Sequence, residues 1–186
     1  DIVVGIPDSS TPHAVGLAAA AKIPYAEAII RNRYVGRTFI APDQKARAQG
    51  VQTKFNAMRG VVEGKRLLVV DDSIVRSTTI TRVIKMLRHA GAAEVHVRVA
   101  SPPIKSTCHF GVDMATLSEL IAAKMTIEEI TKYIDADSLA YLSVDGLLRA
   151  VRAPKNSYCT GCFTGNYPIP VQLEMNKMGF EAVAAD

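Results

Sequence analysis

Hydrophobic residues along this chain fall into short uninterrupted runs, separated by polar loops and by stretches of helical period. The runs Ile2-Val3-Val4-Gly5-Ile6 and Leu67-Leu68-Val69-Val70 show no polar alternation, the pattern of strands covered on both faces in a parallel sheet. After the first run, the loop Pro7-Asp8-Ser9-Ser10-Thr11 leads into a helix predicted over residues 12–22, with Thr11 as N-cap and Pro12 at the first helical position. Residues 25–30 read as a second strand. A strand over 66–70, a helix over 79–89, Gly91 as helix terminator and a strand over 94–100 make a further strand-helix-strand unit. This alternation predicts an α/β fold, a parallel sheet flanked by helices.

Beyond Ser101-Pro102-Pro103 the pattern changes to short helices, predicted over 116–123, 126–135 and 143–151; the first two open with Thr-x-x-Glu, the spacing of a capping box. The last part, 158–186, holds a Cys-x-x-Cys pair, Pro168 and Pro170, then a weakly amphipathic tail. The organisation expected is a core over 1–115 and a mostly helical C-terminal extension over 116–186. Between Arg31 and Lys54 lies a long polar, basic stretch with Gly36, Pro42 and Gly50 but no periodicity; segments of this kind are usually functional or disordered. There is neither internal repeat nor low complexity.

At 186 residues and 48% hydrophobic, the chain can bury a substantial core, and length favours one globular unit. It opens at Asp1 within an apolar run, without Met or leader, so a piece of a longer polypeptide is expected. No segment approaches the roughly 20 apolar residues that span a bilayer, and a cytoplasmic setting with no membrane partner is expected. The 22 basic against 18 acidic residues give +4, with a pI near 9.0. This mild excess lacks a Lys/Arg run or aromatic-basic stripe, so no nucleic-acid partner is expected; a polyphosphate substrate accounts for it equally well. Three cysteines cannot all pair internally.

The richest stretch runs from the second apolar block into Asp71-Asp72-Ser73-Ile74-Val75-Arg76-Ser77-Thr78-Thr79. Ligands bind past the carboxyl ends of parallel strands. Adjacent carboxylates there can accept hydrogen bonds from a vicinal diol or contribute oxygens to Mg²⁺. The hydroxyls of Ser73, Ser77, Thr78 and Thr79 and the N–H groups at a helix start suit an anion. The bland alternative is a helix cap, the commoner role of an isolated Asp-Asp-Ser. Likewise the loop at Asp8, Ser9 and Ser10 is by itself a turn, and the basic stretch by itself a solvated surface.

Taken whole, Val-Asp-Asp-Ser-Ile-Val-Arg-x-Thr-Thr resembles the phosphoribosyl pyrophosphate (PRPP) loop of type I phosphoribosyltransferases, in the form used by the amidophosphoribosyltransferases. Members of that branch usually carry Gly at the position of Ser77. The Pro-Asp-Ser loop and the string Asn32-Arg33-Tyr34-Val35-Gly36-Arg37-Thr38-Phe39-Ile40 resemble two further signatures of the same family, in the same order. The resemblance implies a type I phosphoribosyltransferase fold. It implies Asp8, Ser9 and Ser10 at pyrophosphate, residues 71–79 at the ribose 5-phosphate, and Mg²⁺ near Ser9, Asp71 and Asp72. Arg31, Arg33, Tyr34, Arg37 and Lys54 are then lid and phosphate-contact candidates, without a covalent nucleophile. The activity implied is transfer of ammonia to C1 of PRPP, with glutamine as the ammonia source through a glutaminase domain that this chain does not contain. Purine nucleotides as inhibitors and a homo-oligomer are implied as well.

Cys108 alone reads as a small apolar core residue, and Cys159-x-x-Cys162 as half a zinc site, a redox dithiol or an iron–sulfur pair. In the iron–sulfur type of the family, one Cys after a Ser-Pro-Pro segment and a C-terminal Cys-x-x-Cys pair ligate a 4Fe-4S cluster with a fourth Cys upstream. Cys108, Cys159 and Cys162 match the first three. His13, His89, His96 and His109 show no metal-like spacing, and none is given a role. The competing readings are another type I phosphoribosyltransferase, a non-catalytic PRPP-sensing regulator of that fold, and a zinc-containing nucleic-acid binder.

Overall fold

The computed structural model describes residues 1–32, 54–112, 116–152, 154 and 157–170. The first apolar run forms strand β1 (Ile2–Gly5), followed by helix α1 (Thr11–Ala21). The cap lies one residue earlier than expected: Ser10 is the N-cap, and its side chain makes no capping bond. Gly5 lets the helix start press against the strand end, since a Cβ there would lie 3.1 Å from both the Thr11 Cα and the Ala14 Cβ.

The strand expected over 25–30 divides. Tyr25 makes a single parallel bridge to Val3 at the free edge of β1, while β2 (Ile29–Arg31) pairs antiparallel with β3 (Phe55–Ala57) in a separate ribbon. A short helix α2 (Arg59–Val62) leads to β4 (Arg66–Asp71), then α3 (Thr78–His89) and β5 (Glu94–Val99). Gly91 ends the helix as expected, with φ +95, and the N–H of Ala92 returns to the Leu87 carbonyl.

Residues 117–123 form two 3₁₀ turns in place of the predicted helix. The expected capping box fails there because its parts are engaged elsewhere: the Glu119 carboxylate takes Arg76 at 3.1 Å, and the Thr116 hydroxyl meets that of Ser118. The second box does form at α4 (Ile127–Tyr133), between Thr126 and Glu129. Ser143 caps α5 (Val144–Ala150), and α6 (Gly161–Thr164) is a single turn at the Cys-x-x-Cys.

Between α4 and α5 lies a strand that sequence patterning did not anticipate, β6 (Ser138–Tyr141), parallel to β5. The main sheet is thus four parallel strands in the order β1-β4-β5-β6. One face packs Val3 and Val70 against Ala14 and Ala18 of α1. The other buries Val4, Leu67, Val69, Val95 and Val97 against Ile80, Val83, Ile84 and Leu87 of α3 and Ile130 of α4. Helices on both faces explain why β1 and β4 lack polar alternation, and they leave the carboxyl ends of the strands as the open edge. Among the described residues no helix is long and apolar enough to cross a membrane.

Candidate functional site

A cleft of about 250 Å³ opens at those carboxyl ends, lined by Ile6, Pro7, Asp8, Ser9, Arg31, Lys54, Phe55, Asp71, Asp72, Ser73 and Thr79. One wall comes from the ends of β1 and β4, the other from the β2–β3 ribbon. The Asn32 N–H donates to the Lys54 carbonyl at 2.8 Å, which holds Arg31 and Lys54 side by side at the mouth of the ribbon. The result is a divided cleft: carboxylates at the strand ends face cations on the ribbon.

Asp71, the last residue of β4, is 8% exposed. Its Oδ1 accepts from the Ser10 hydroxyl at 3.2 Å and from the Asp72 N–H at 3.0 Å. Burial and the neighbouring Asp72 charge push its carboxyl up to about 7, against the pull of those two donors. Asp72 is half-buried and accepts from the Ser73 hydroxyl at 3.0 Å. Across the cleft Arg31 Nη1 donates to Asp8 Oδ2 at 2.7 Å, and its buried Nε has no hydrogen-bond partner among the described residues. Partial burial, and then the Arg31 charge, lower the Lys54 ammonium below its ordinary value, with Asp8 acting in the opposite sense. The Pro7–Asp8 peptide is cis.

Asp8, Ser9, Asp71, Asp72, Ser73 and Thr79 thus share one cleft with Arg31 and Lys54, as the sequence suggested. Ser10 stands apart from them: it is fully buried, is absent from the cleft lining, and its hydroxyl donates to Asp71 from behind the lining residues. Ile74 is buried, Val75 packs toward Ile104 and Leu120, and Arg76 is held by Glu119. Thr78 is exposed at the start of α3. Ser77 adopts φ +61 as the N-cap of α3, and its hydroxyl donates to the Arg76 carbonyl. A left-handed residue with a Cβ costs about 1–2 kcal/mol, so Ser occupies a position whose backbone favours Gly. Arg33, Tyr34 and Arg37 lie outside the described residues.

Sequence reading missed Phe55, which floors the basic side, and Tyr141. Tyr141 is in register with Asp71 through Val99; its hydroxyl is buried without a partner among the described residues. Burial and then the Asp71 charge push it up to about 12. No local signal marked it, because the register across β5 exists only in the folded sheet.

The cysteines gather at a second corner. The N–H groups of Lys105 and Ser106 donate to the Cys162 carbonyl at 2.9 and 3.0 Å, and the Tyr167 hydroxyl donates to the Thr107 carbonyl at 2.6 Å. The Tyr167 ring meets His109 edge-on at 5.0 Å and covers Gly161, where any side chain would strike it. All three thiols are free. Burial, then Cys108 and, more weakly, Cys159 raise the Cys162 thiol, so the three lie within electrostatic reach of one another. Among the described residues no three His, Cys, Asp or Glu side chains surround one point closely enough to hold a single metal ion. This corner packs against the loop that follows β4, because Cys162 and Phe163 meet Val75 around Ile104 and Leu120.

Comparison with known proteins agrees with this geometry. The family described as Phosphoribosyl transferase domain matches residues 1–103. An amidophosphoribosyltransferase of Synechococcus elongatus is 49% identical over 187 residues, covering 100% of this chain and 38% of that protein. One of Bacillus subtilis is 53% identical over 175 residues, covering 92% and 37%. The solved structure of a glutamine PRPP amidotransferase from B. subtilis complexed with ADP and GMP superposes with a TM-score of 0.82 at 53% identity, covering 94% of this chain and 39% of that one. A structure described as the allosteric regulatory enzyme of purine biosynthesis gives 0.83 at 52% identity, covering 95% and 39%. The chain therefore spans well under half the length of these relatives, and with its parallel sheet, its strand-end carboxylates and the family match over residues 1–103 it belongs to the phosphoribosyl transferase domain family.

Proposed function

We propose that this chain is the PRPP-using portion of an amidophosphoribosyltransferase, a pentosyltransferase that joins ammonia to C1 of PRPP, releases pyrophosphate and yields 5-phosphoribosylamine for purine synthesis. The observation that carries the reading is the divided cleft: Asp71 and Asp72 at the end of β4 opposite Arg31 and Lys54. Its acidic side suits a diol and its basic side a diphosphate, and PRPP carries both. Residues 1–115 supply the substrate loops, and 116–186 an extension bearing the cysteine pair.

Ammonia attacks the anomeric carbon as pyrophosphate departs, so no side-chain nucleophile is needed and positioning with charge stabilisation supplies the rate. Asp71 and Asp72 accept from the ribose hydroxyls and fix the sugar. Ser73 and Thr79, with the loop between them, face the 5-phosphate at the start of α3. Ser9 and Arg31 meet the pyrophosphate, and Lys54 adds a second cation. Asp71 and Asp72, adjacent at the end of β4 and both on the cleft wall, offer the hard carboxylate oxygens that a divalent cation such as Mg²⁺ would take. Mg²⁺ held by Asp71 and Asp72, near Ser9, would neutralise the leaving group.

Cys108, Cys159 and Cys162 would hold three corners of a 4Fe-4S cluster. Each thiolate of a cubane binds a different iron, so its ligands need not crowd one point as those of a single ion do. When bound, such a cluster would fasten residues 101–110 to 159–167, with the fourth Cys supplied from outside this chain. Glutamine, through a further domain, is the proposed ammonia source. Purine nucleotides share the ribose 5-phosphate of PRPP, which makes them ligands for the same loop and inhibitors by competition. A cytoplasmic homo-oligomer completes the reading. Ammonia-dependent release of pyrophosphate from PRPP by the full-length protein tests it.

A further inference from the structure

Ser10 sits at the N-cap of α1, a place where a serine hydroxyl usually accepts from the second or third helical N–H. Here it makes no such bond. The side chain is fully buried, does not line the cleft, and donates instead to Asp71 Oδ1, 61 residues away. Gly5 makes this possible: a Cβ at that position would come within 3.2 Å of the Ser10 carbonyl and 3.1 Å of the Thr11 Cα, forcing the helix start away from the strand. The same Asp71 oxygen accepts from the Asp72 N–H. Two donors therefore fix that oxygen, while the other has no hydrogen-bond partner among the described residues.

We infer that Ser10 is a positioning residue for the ribose side of the site: its hydroxyl orients the Asp71 carboxylate toward the sugar diol and does not itself hold pyrophosphate. This rests on the function proposed above and divides its two loops differently. The pyrophosphate loop contributes Asp8 and Ser9 to the cleft, while its next residue turns inward to brace the loop that follows β4. A charge-assisted hydrogen bond of this kind has a strength that corresponds to about a tenfold change in affinity.

The experiment measures, by calorimetry on the full-length protein, the binding of ribose 5-phosphate and of inorganic pyrophosphate with Mg²⁺, for the parent and for Ser10→Ala. Ser10→Gly serves as a second variant, since glycine is well tolerated at an N-cap. The expected result is about tenfold weaker ribose 5-phosphate binding with pyrophosphate binding unchanged, at a melting temperature close to the parent's. Weaker pyrophosphate binding with ribose 5-phosphate unaffected would place the hydroxyl on pyrophosphate and overturn the inference. Equal loss of both ligands, or no loss of either, would overturn it too. A parent protein that binds neither probe would instead bring down the functional reading on which the inference stands.

Discussion

Arg31 on β2 reaches the Asp8 carboxylate at 2.7 Å, closing the basic ribbon onto the loop after β1. The pair is part-exposed, so it adds little to stability, ~0–1 kcal/mol. Its consequence is positional, because Asp8 holds the guanidinium over the place proposed for pyrophosphate. Replacing Arg31 with Ala should weaken pyrophosphate binding by about tenfold, the equivalent of one charge-assisted hydrogen bond. The melting temperature should hardly move. Titration calorimetry checks this, and an unchanged affinity would remove Arg31 from the site.

The Asp71 carboxyl, raised from 3.8 to about 7 in the fold, makes a prediction about stability and pH. A raised acid binds its proton more tightly folded than unfolded, so its contribution falls as pH rises from about 4 to about 7 and is flat above that. Asp71→Asn keeps the shape and the acceptor for Ser10 without the buried charge. The variant should melt higher than the parent at pH 8 in the absence of divalent metal, with the gain shrinking toward pH 4. Thermal melts across that range decide it; a gain that does not depend on pH would show that the carboxyl is not held neutral by burial.

For the cysteine corner the expectation is chemical. Full-length protein reconstituted anaerobically with iron and sulfide should be brown, and Cys159→Ser should lose both elements. Elemental analysis finding zinc without iron would favour a structural metal site instead.

Much of the site was legible because its residues are contiguous. The run from Leu67 to Thr79 announces strand, carboxylates and helix start in one string, and the strand does end at Asp71. The box at Thr126 and Glu129 formed as its spacing predicts, whereas Glu119 was drawn away by Arg76, 43 residues distant. β6 escaped notice because Ser138-Leu139-Ala140-Tyr141 is short and only weakly apolar; pairing with β5 defines it. Nor does any local pattern reveal that the hydroxyl of the serine at the N-cap of α1 turns to a carboxylate 61 residues away.

The most direct test of the central claim, that the carboxylates at the end of β4 hold the ribose of PRPP for attack by ammonia, compares the full-length parent with the double variant Asp71→Asn, Asp72→Asn. Pyrophosphate release is followed with PRPP, Mg²⁺ and ammonia. Robust turnover is expected in the parent and loss of activity by at least about a hundredfold in the variant, with its circular dichroism retained and its melting temperature no lower than the parent's. Near-normal ammonia-dependent turnover in a folded double variant would contradict it.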